Sequence, residues 1–256
     1  MKNKLFLILL LFVLGACTSR EKNNEVVVLC GASMRAPMEK IIKLYSNISN
    51  DKILMNYGGS GELCAQIQLS RKGDLFIAHD PFVPWAAKKG LIDKWATIGY
   101  LDVVIIVPKD SKINSFEELA KPGVRIGIGD TTYSTSGHVI KNALKNAPFG
   151  AAIMSNVVAQ SKGHQTRCNY VINGALDAGV VWKAVAETFR NKLNFFPVPE
   201  KYIDSITSAT YQESDLKNIK VAVGLIKNSK DENAAKKFYD FILSNKNVFV
   251  EFGYRK

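Results

Sequence analysis

The most constraining feature of the sequence is an alternation of short β-branched runs with segments of helical periodicity. Residues 26–29, 53–57 and 75–78 each have the composition of a strand, and each is followed by a helix-like segment. Strands that alternate with helices predict parallel sheets with helices on both faces. The continuous apolar run at residues 103–107 is typical of a strand buried on both faces. We therefore expect an α/β fold whose sheets are mainly parallel.

The same alternation begins again after Val107, which indicates a second lobe. We expect residues 25–106 and 211–256 to form lobe 1 and residues 107–210 to form lobe 2. In this division the last predicted strand and helix return to the first lobe.

The N-terminus has the features of an export signal. Lys2 and Lys4 precede an uncharged apolar run at residues 5–14, and small residues lead to Cys17. A basic start, a short apolar run and small residues are typical of a secretory signal peptide. The run is too short for a membrane span, which needs about twenty residues. We therefore expect the protein to function outside the cytoplasm.

Residues 14–17 read Leu-Gly-Ala-Cys, which is similar to the bacterial lipobox. In a lipobox the cysteine becomes the first mature residue and carries lipid. This similarity predicts a lipoprotein signal peptide at residues 1–16, lipidation of Cys17 and attachment to a membrane through that lipid. Residues 17–24 are polar and lack an apolar period, as expected of a tether.

Composition limits the classes of partner and of site. The chain has 34 Lys and Arg against 23 Asp and Glu, and this basic balance favours anionic partners. Export argues against a nucleic-acid partner.

Cys30, Cys64 and Cys168 form no C-x-x-C pair and have no zinc spacing with a histidine. We therefore expect neither a metal-cation site nor a cofactor.

Three junctions between a predicted strand and a helix combine small residues with serine. They are Cys30-Gly31-Ala32-Ser33, Gly58-Gly59-Ser60-Gly61 and Tyr133-Ser134-Thr135-Ser136-Gly137. The N-terminus of a helix offers unpaired N–H groups with a partial positive charge, and small residues allow a ligand to approach them. Each serine taken alone is most simply an N-cap. Three such junctions at the carboxyl ends of strands predict one shared anion site.

Catalysis has little support in the sequence. The chain has three histidines and no Gly-x-Ser-x-Gly elbow. Ser136 and His138 are two residues apart at a helix start, so their side chains face different ways. We therefore expect a binding protein and not an enzyme.

These junctions and several further segments resemble the molybdate-binding proteins of bacterial ABC importers along nearly all of the mature chain. The similar segments are Gly31-Ala32-Ser33 and residues 57–67, 73–80, 107–109, 173–181, 234–238 and 252–254. The resemblance implies two α/β lobes joined by a hinge, with an oxyanion bound in the cleft between them.

The resemblance also implies roles for individual residues. Ser33 and Ser60 match the two family serines that donate from the hydroxyl and the backbone. Ser136 matches a small residue that donates its backbone N–H. His164 falls where the family usually has valine and uses only its N–H. Trp182 falls where the family often has tyrosine, and its indole N–H replaces the tyrosine hydroxyl.

The implied function is capture of molybdate or tungstate by a monomeric, lipid-anchored protein that delivers the oxyanion to an ABC permease. Three alternatives remain open. The same fold can bind sulfate, phosphate or a small organic anion. An extracellular hydrolase using Ser136 and His138 is a second alternative, and a lipoprotein adaptor or sensor without a transport role is a third.

Overall fold

Two five-stranded sheets form the frame of the described part of the chain. The computed structural model describes residues 24–161, 163–204, 206–207 and 213–256. The predicted signal peptide and Cys17 lie outside the described residues. The described strands are β1 (Glu25–Gly31), β2 (Lys52–Gly58), β3 (Leu75–His79), β4 (Ile92–Leu101), β5 (Val103–Pro108), β6 (Ile126–Gly129), β7 (Val157–Ser161), β8 (Ala178–Trp182), β9 (Leu193–Pro197), β10 (Ile206–Thr207), β11 (Glu213–Ser214) and β12 (Ile219–Ile226).

The two large sheets share one plan. The first has the strand order β2-β1-β3-β12-β4 and the second has the order β7-β6-β8-β5-β9. In the first sheet only β12 runs against its neighbours, and in the second only β5 does. The expected α/β class with two lobes of mainly parallel strands is confirmed. The strands β10 and β11 form a separate antiparallel pair.

Helices pack on the faces of the sheets. They are α1 (Arg35–Tyr45), α2 (Ser60–Ser70), α3 (Phe82–Lys88), α4 (Thr135–Asn146), α5 (Gly150–Ser155), α6 (His164–Ile172), α7 (Lys183–Thr188), α8 (Glu232–Ser244) and α9 (Asn247–Glu251), with 3-10 turns at Ala32–Met34, Glu117–Ala120 and Glu200–Tyr202. None of the described helices is both long enough and apolar enough to cross a bilayer.

Alternation along β1 explains why the first sheet has a helical layer on each face. Val28 and Cys30 lie in the apolar cluster that contains Met38 of α1 and Phe238 of α8. Leu29, between them, lies in a second cluster with α2 and α3. Successive side chains of a strand point to opposite faces, so an uninterrupted apolar run needs cover on both.

The chain crosses between the sheets at Asp102, because β4 ends at Leu101 and β5 begins at Val103. A lobe boundary between residues 106 and 107 therefore divides β5, all of which pairs in the second sheet. The apolar run at residues 103–107 belongs to one buried strand, which pairs with β8 and β9 of the second sheet. We propose the crossing at Asp102 as the first boundary. The strand β12 pairs with β3 and β4 of the first sheet.

The three cysteines in the described part are free and buried. Burial raises the pKa of the Cys64 and Cys168 thiols to about 12, and it raises the pKa of the Cys30 thiol as well. They are protonated at neutral pH and act as small apolar side chains.

Candidate functional site

A cleft of about 710 Å³ lies at the carboxyl ends of the parallel strands of the two sheets. It is lined from the first lobe by residues that follow β1, β2 and β3, and from the second lobe by residues that follow β6 and β7 and by the end of β8. The lining includes Ser33, Gly59, Ser60, His79, Ser134, Thr135, Gly163, His164 and Trp182.

The two serine turns of the first lobe meet at this cleft. A Cβ atom built on Gly31 would lie 2.7 Å from the Oγ of Ser60, which shows how closely the first turn approaches the second. Ser60 is the first residue of α2 and is buried, with 7% of its surface exposed. Its N-cap residue is Gly59, which has no side chain to cap the first-turn N–H groups. The N-cap residue therefore does not compete with a ligand for those N–H groups.

In the second lobe, the residues of the serine turn that line the cleft are not the one that the sequence singled out. Helix α4 begins at Thr135, and its N-cap Ser134 accepts a hydrogen bond from the Gly137 N–H. Ser136 is fully buried, with its Oγ 3.0 Å from the Ser134 Oγ. Ser134 and Thr135 line the cleft, whereas the side chain of Ser136 does not. The backbone role expected for Ser136 stays a prediction.

Thr135 also joins the lobes. Its Oγ1 donates to the carbonyl oxygen of Asp80, just after β3, over 3.3 Å. The start of α4 is therefore held against the first lobe at the edge of the cleft.

Trp182 contributes a buried donor without an acceptor. It is the last residue of β8, with 1% of its surface exposed, and it lines the cleft. Its indole Nε1 has no hydrogen-bond partner among the described residues. A buried N–H left unpaired costs about 1–3 kcal/mol, so a ligand oxygen that accepts from it recovers that cost.

His164 lies at the first position of α6, after the N-cap Gly163. Its Nδ1 lies 2.9 Å from the Nη2 of Arg167. Burial lowers the pKa of His164 well below its ordinary value, and the neighbouring Arg167 guanidinium and His79 side chain act in the same direction. The imidazole is therefore neutral at pH 7, and it presents a hydrogen-bonding group without a charge.

His79, which the sequence reasoning missed, completes an aromatic group that spans the lobes. The Trp182 ring lies 5.5 Å from the His79 ring and 5.4 Å from the His164 ring, measured between centroids. The Nδ1 of His79 lies 2.7 Å from the Asp80 carbonyl oxygen. A carbonyl only accepts, so Nδ1 carries the proton and Nε2 is an acceptor in the neutral ring. Burial lowers the pKa of His79, which favours that neutral form.

Among the described residues, the Asp, Glu, Lys and Arg side chains of the cleft lining belong to Arg35, Glu39 and Glu62. Arg35 and Glu39 form an exposed ion pair of 3.5 Å, and Glu62 belongs to the first turn of α2. No lysine of the described residues lines the cleft. Attraction for an anion here comes mainly from helix N-termini and polar N–H groups.

Ser136 and His138, the pair that a hydrolase would use, form no hydrogen bond with each other in the described part of the chain. The Ser136 Oγ contacts Ser134, while the His138 Nε2 lies 3.1 Å from the Thr132 carbonyl oxygen. A serine nucleophile needs a hydrogen bond to its base, and this pair does not form one in the structure. Within the described residues there is also no group of three or more His, Cys, Asp or Glu side chains that could hold a metal ion.

The family model described as "Bacterial extracellular solute-binding protein" matches residues 26–255. A protein of Bacillus subtilis strain 168, named "Putative ABC transporter substrate-binding lipoprotein YvgL", is 29% identical over 246 residues. The match covers 93% of this chain and 88% of that protein.

Solved structures share the fold. A Clostridium difficile structure, "substrate binding domain of putative molybdenum ABC transporter", is 28% identical with a TM-score of 0.68, covering 91% of this chain and 98% of that one. The periplasmic molybdate-binding protein of Azotobacter vinelandii is 16% identical with a TM-score of 0.75, covering 90% and 99%. The same fold occurs in L-phospholactate-bound PEB3 and in iron-bound HitA from Pseudomonas aeruginosa, with TM-scores of 0.68 and 0.60. The fold by itself therefore does not select the ligand.

Proposed function

Because the chain belongs to the family of bacterial extracellular solute-binding proteins, we propose that its cleft captures a tetrahedral oxyanion, molybdate or tungstate, for delivery to an ABC permease. The observation that carries this proposal is the buried indole Nε1 of Trp182, which has no hydrogen-bond partner among the described residues and belongs to a residue of the cleft lining. An oxyanion accepts at every oxygen, so it matches a site in which most groups donate. The name of the Clostridium difficile structure, which refers to molybdenum, supports the same cargo.

The donors around Trp182 are sufficient in number for useful affinity. Helices α2 and α6 both begin after a glycine, and Ser33 and Ser60 add hydroxyl groups. Six hydrogen bonds to a charged ligand, each contributing about 1.5–3 kcal/mol, give on the order of 9–18 kcal/mol before the costs of ordering and closure. Micromolar to nanomolar binding requires about 8–12 kcal/mol. A lysine in the cleft is therefore not required.

The proposal includes a monomer attached to a membrane through lipid on Cys17. The lipobox-like sequence supports this attachment, and so does the name of the Bacillus subtilis relative, which includes the word lipoprotein. The surplus of basic residues steers anions toward the protein, and this steering weakens as salt screens it.

A second candidate ligand is phosphate or a small organic anion that carries a hydroxyl group. The acceptor Nε2 of His79 favours it, because such a ligand has a proton to donate. The cleft volume of about 710 Å³ also lies in the range of sites for ligands larger than a single oxyanion.

A thermal-shift and calorimetry panel tests these candidates with molybdate, tungstate, chromate, sulfate and phosphate. A ligand at a hundred times its dissociation constant adds about 2.7 kcal/mol to the stability of the folded state, which produces a clear shift. We expect shifts with molybdate and tungstate that exceed those with sulfate and phosphate. A shift with phosphate alone favours the second candidate. Turnover of a panel of esters, abolished by Ser136→Ala, would instead favour the hydrolase.

A further inference from the structure

Arg167 is a buried cation whose recorded partners are all uncharged. Its side chain has 0% of its surface exposed. The Nε donates to the carbonyl oxygen of Val180 over 2.7 Å, and Nη1 donates to the carbonyl oxygen and, over 3.1 Å, to the hydroxyl of Ser161. The remaining contact, from Nη2, is to the Nδ1 of His164. Taking a charge out of water without an opposite charge is expensive, so this arrangement needs an explanation.

The contact with Arg167 determines which nitrogen of His164 carries the proton. A guanidinium group only donates, so the Nδ1 of His164 must accept. In the neutral ring the proton is then on Nε2, which has no hydrogen-bond partner among the described residues. Because His164 lines the cleft, this N–H is available as a donor to a ligand.

We propose that Arg167 is a positioning residue for anion binding: it fixes His164 as an Nε2–H donor, and its charge, one imidazole ring behind the cleft, favours dianions over monoanions. This inference rests on the proposed function, because it assigns a charge preference to the same site. A bound dianion supplies an opposite charge, which the partners of Arg167 among the described residues do not. Sequence spacing supports the arrangement, since residues three apart on a helix share a face.

The titratable groups around this pair are themselves uncharged. His79 faces His164 from the end of β3, and burial lowers its pKa. Cys168 follows Arg167 on α6, and burial raises the pKa of its thiol to about 12. Burial lowers the pKa of Arg167 to about 10, so its guanidinium stays charged at pH 7. The charge behind the cleft therefore belongs to Arg167.

The first test compares molybdate with perrhenate, a tetrahedral anion of similar size and one charge less. Calorimetry on the full chain, purified in detergent, gives the ratio of the two dissociation constants. We expect Arg167→Met to weaken molybdate binding at least about tenfold more than perrhenate binding, and Arg167→Lys to restore part of the preference. The control is Arg190→Met, which removes an exposed charge of the same lobe and should leave the ratio unchanged. An unchanged ratio in a folded Arg167→Met protein overturns the proposal.

The second test needs no variant at Arg167 and no ligand. Nitrogen-15 NMR of the wild-type protein distinguishes the two neutral tautomers of His164, with His164→Gln used to assign its signals. We expect the proton on Nε2 at pH 7, and a proton on Nδ1 overturns the proposal. If the wild-type protein binds neither anion, the proposed function fails, while the tautomer still decides whether Arg167 positions His164.

Discussion

Replacing Trp182 with phenylalanine separates the two consequences of its unpaired indole N–H. In the ligand-free protein the substitution removes a buried donor that has no partner, and this gains about 1–3 kcal/mol. The smaller ring leaves a void in a fully buried position, at a cost on the order of 1–2 kcal/mol. The two terms oppose each other, so we expect the free energy of unfolding to change by no more than about 2 kcal/mol.

For ligand binding, no second effect offsets the loss of the indole N–H. A hydrogen bond from a neutral donor to a charged acceptor contributes about 1.5–3 kcal/mol, and phenylalanine cannot form it. The dissociation constant for molybdate should therefore rise by a factor of roughly 10–150. Aromatic contact with His79 and His164 persists, because phenylalanine keeps a ring at the same place.

Two assays measure these quantities on the same preparation. Titration calorimetry gives the dissociation constant, and urea unfolding without ligand gives the stability. The matched control is Trp95→Phe, at an exposed tryptophan of β4 that does not line the cleft. A Trp182→Phe protein that is folded and binds molybdate as tightly as the wild type refutes the assignment of Nε1 as a ligand donor.

Three further predictions concern the first lobe and the anchor. Ser60→Ala should weaken molybdate binding by about 1–3 kcal/mol, because the backbone N–H remains, whereas Ser60→Asp should abolish binding measured by calorimetry. Unchanged affinity in Ser60→Asp means that the anion binds elsewhere. Gly31→Ala places a methyl group 2.7 Å from the Ser60 Oγ and 2.5 Å from the Met34 Cε, so the hydroxyl must shift and the measured affinity should fall. Wild-type affinity in that variant contradicts a role for the exact position of this hydroxyl. Cys17→Ser should yield uncleaved or soluble protein on cell fractionation, and a cleaved form that stays with membranes is evidence against the lipobox.

Periodicity predicted those parts of the fold in which local pattern and burial agree. The residues of β1 and β5 are apolar along nearly their whole length, and both strands are buried as expected. Strand β4 was missed, because Asp93, Lys94 and an exposed Trp95 interrupt any regular alternation. Its place beside β12 depends on pairing with residues far along the chain, which a local pattern does not encode.

In the candidate site, too, the sequence could suggest the residues that belong to a local motif and not those that depend on packing. Glycine and serine at a strand-to-helix junction form a local motif, which is why the sequence could suggest Ser33 and Ser60; both line the cleft, and their role in binding stays a prediction. Whether Ser134 or Ser136 lines the cleft depends on the residue at which α4 begins, and sequence patterns do not fix a helix start to within one or two residues. Arg167 could have been noticed from its spacing to His164, but its burial depends on packing against β7 and β8.

The position of β12 determines the order in which the two sheets can be completed. All five strands of the second sheet are contiguous in the sequence, from β5 to β9. Among the described strands of the first sheet, the neighbour of β4 is β12, which is synthesised after the whole second sheet. Until β12 inserts, β3 and β4 each present an unpaired edge, and such edges favour association with other chains. The second lobe can therefore reach its native pairing early, whereas an exported chain that lacks its C-terminal segment keeps the first lobe open to aggregation and proteolysis.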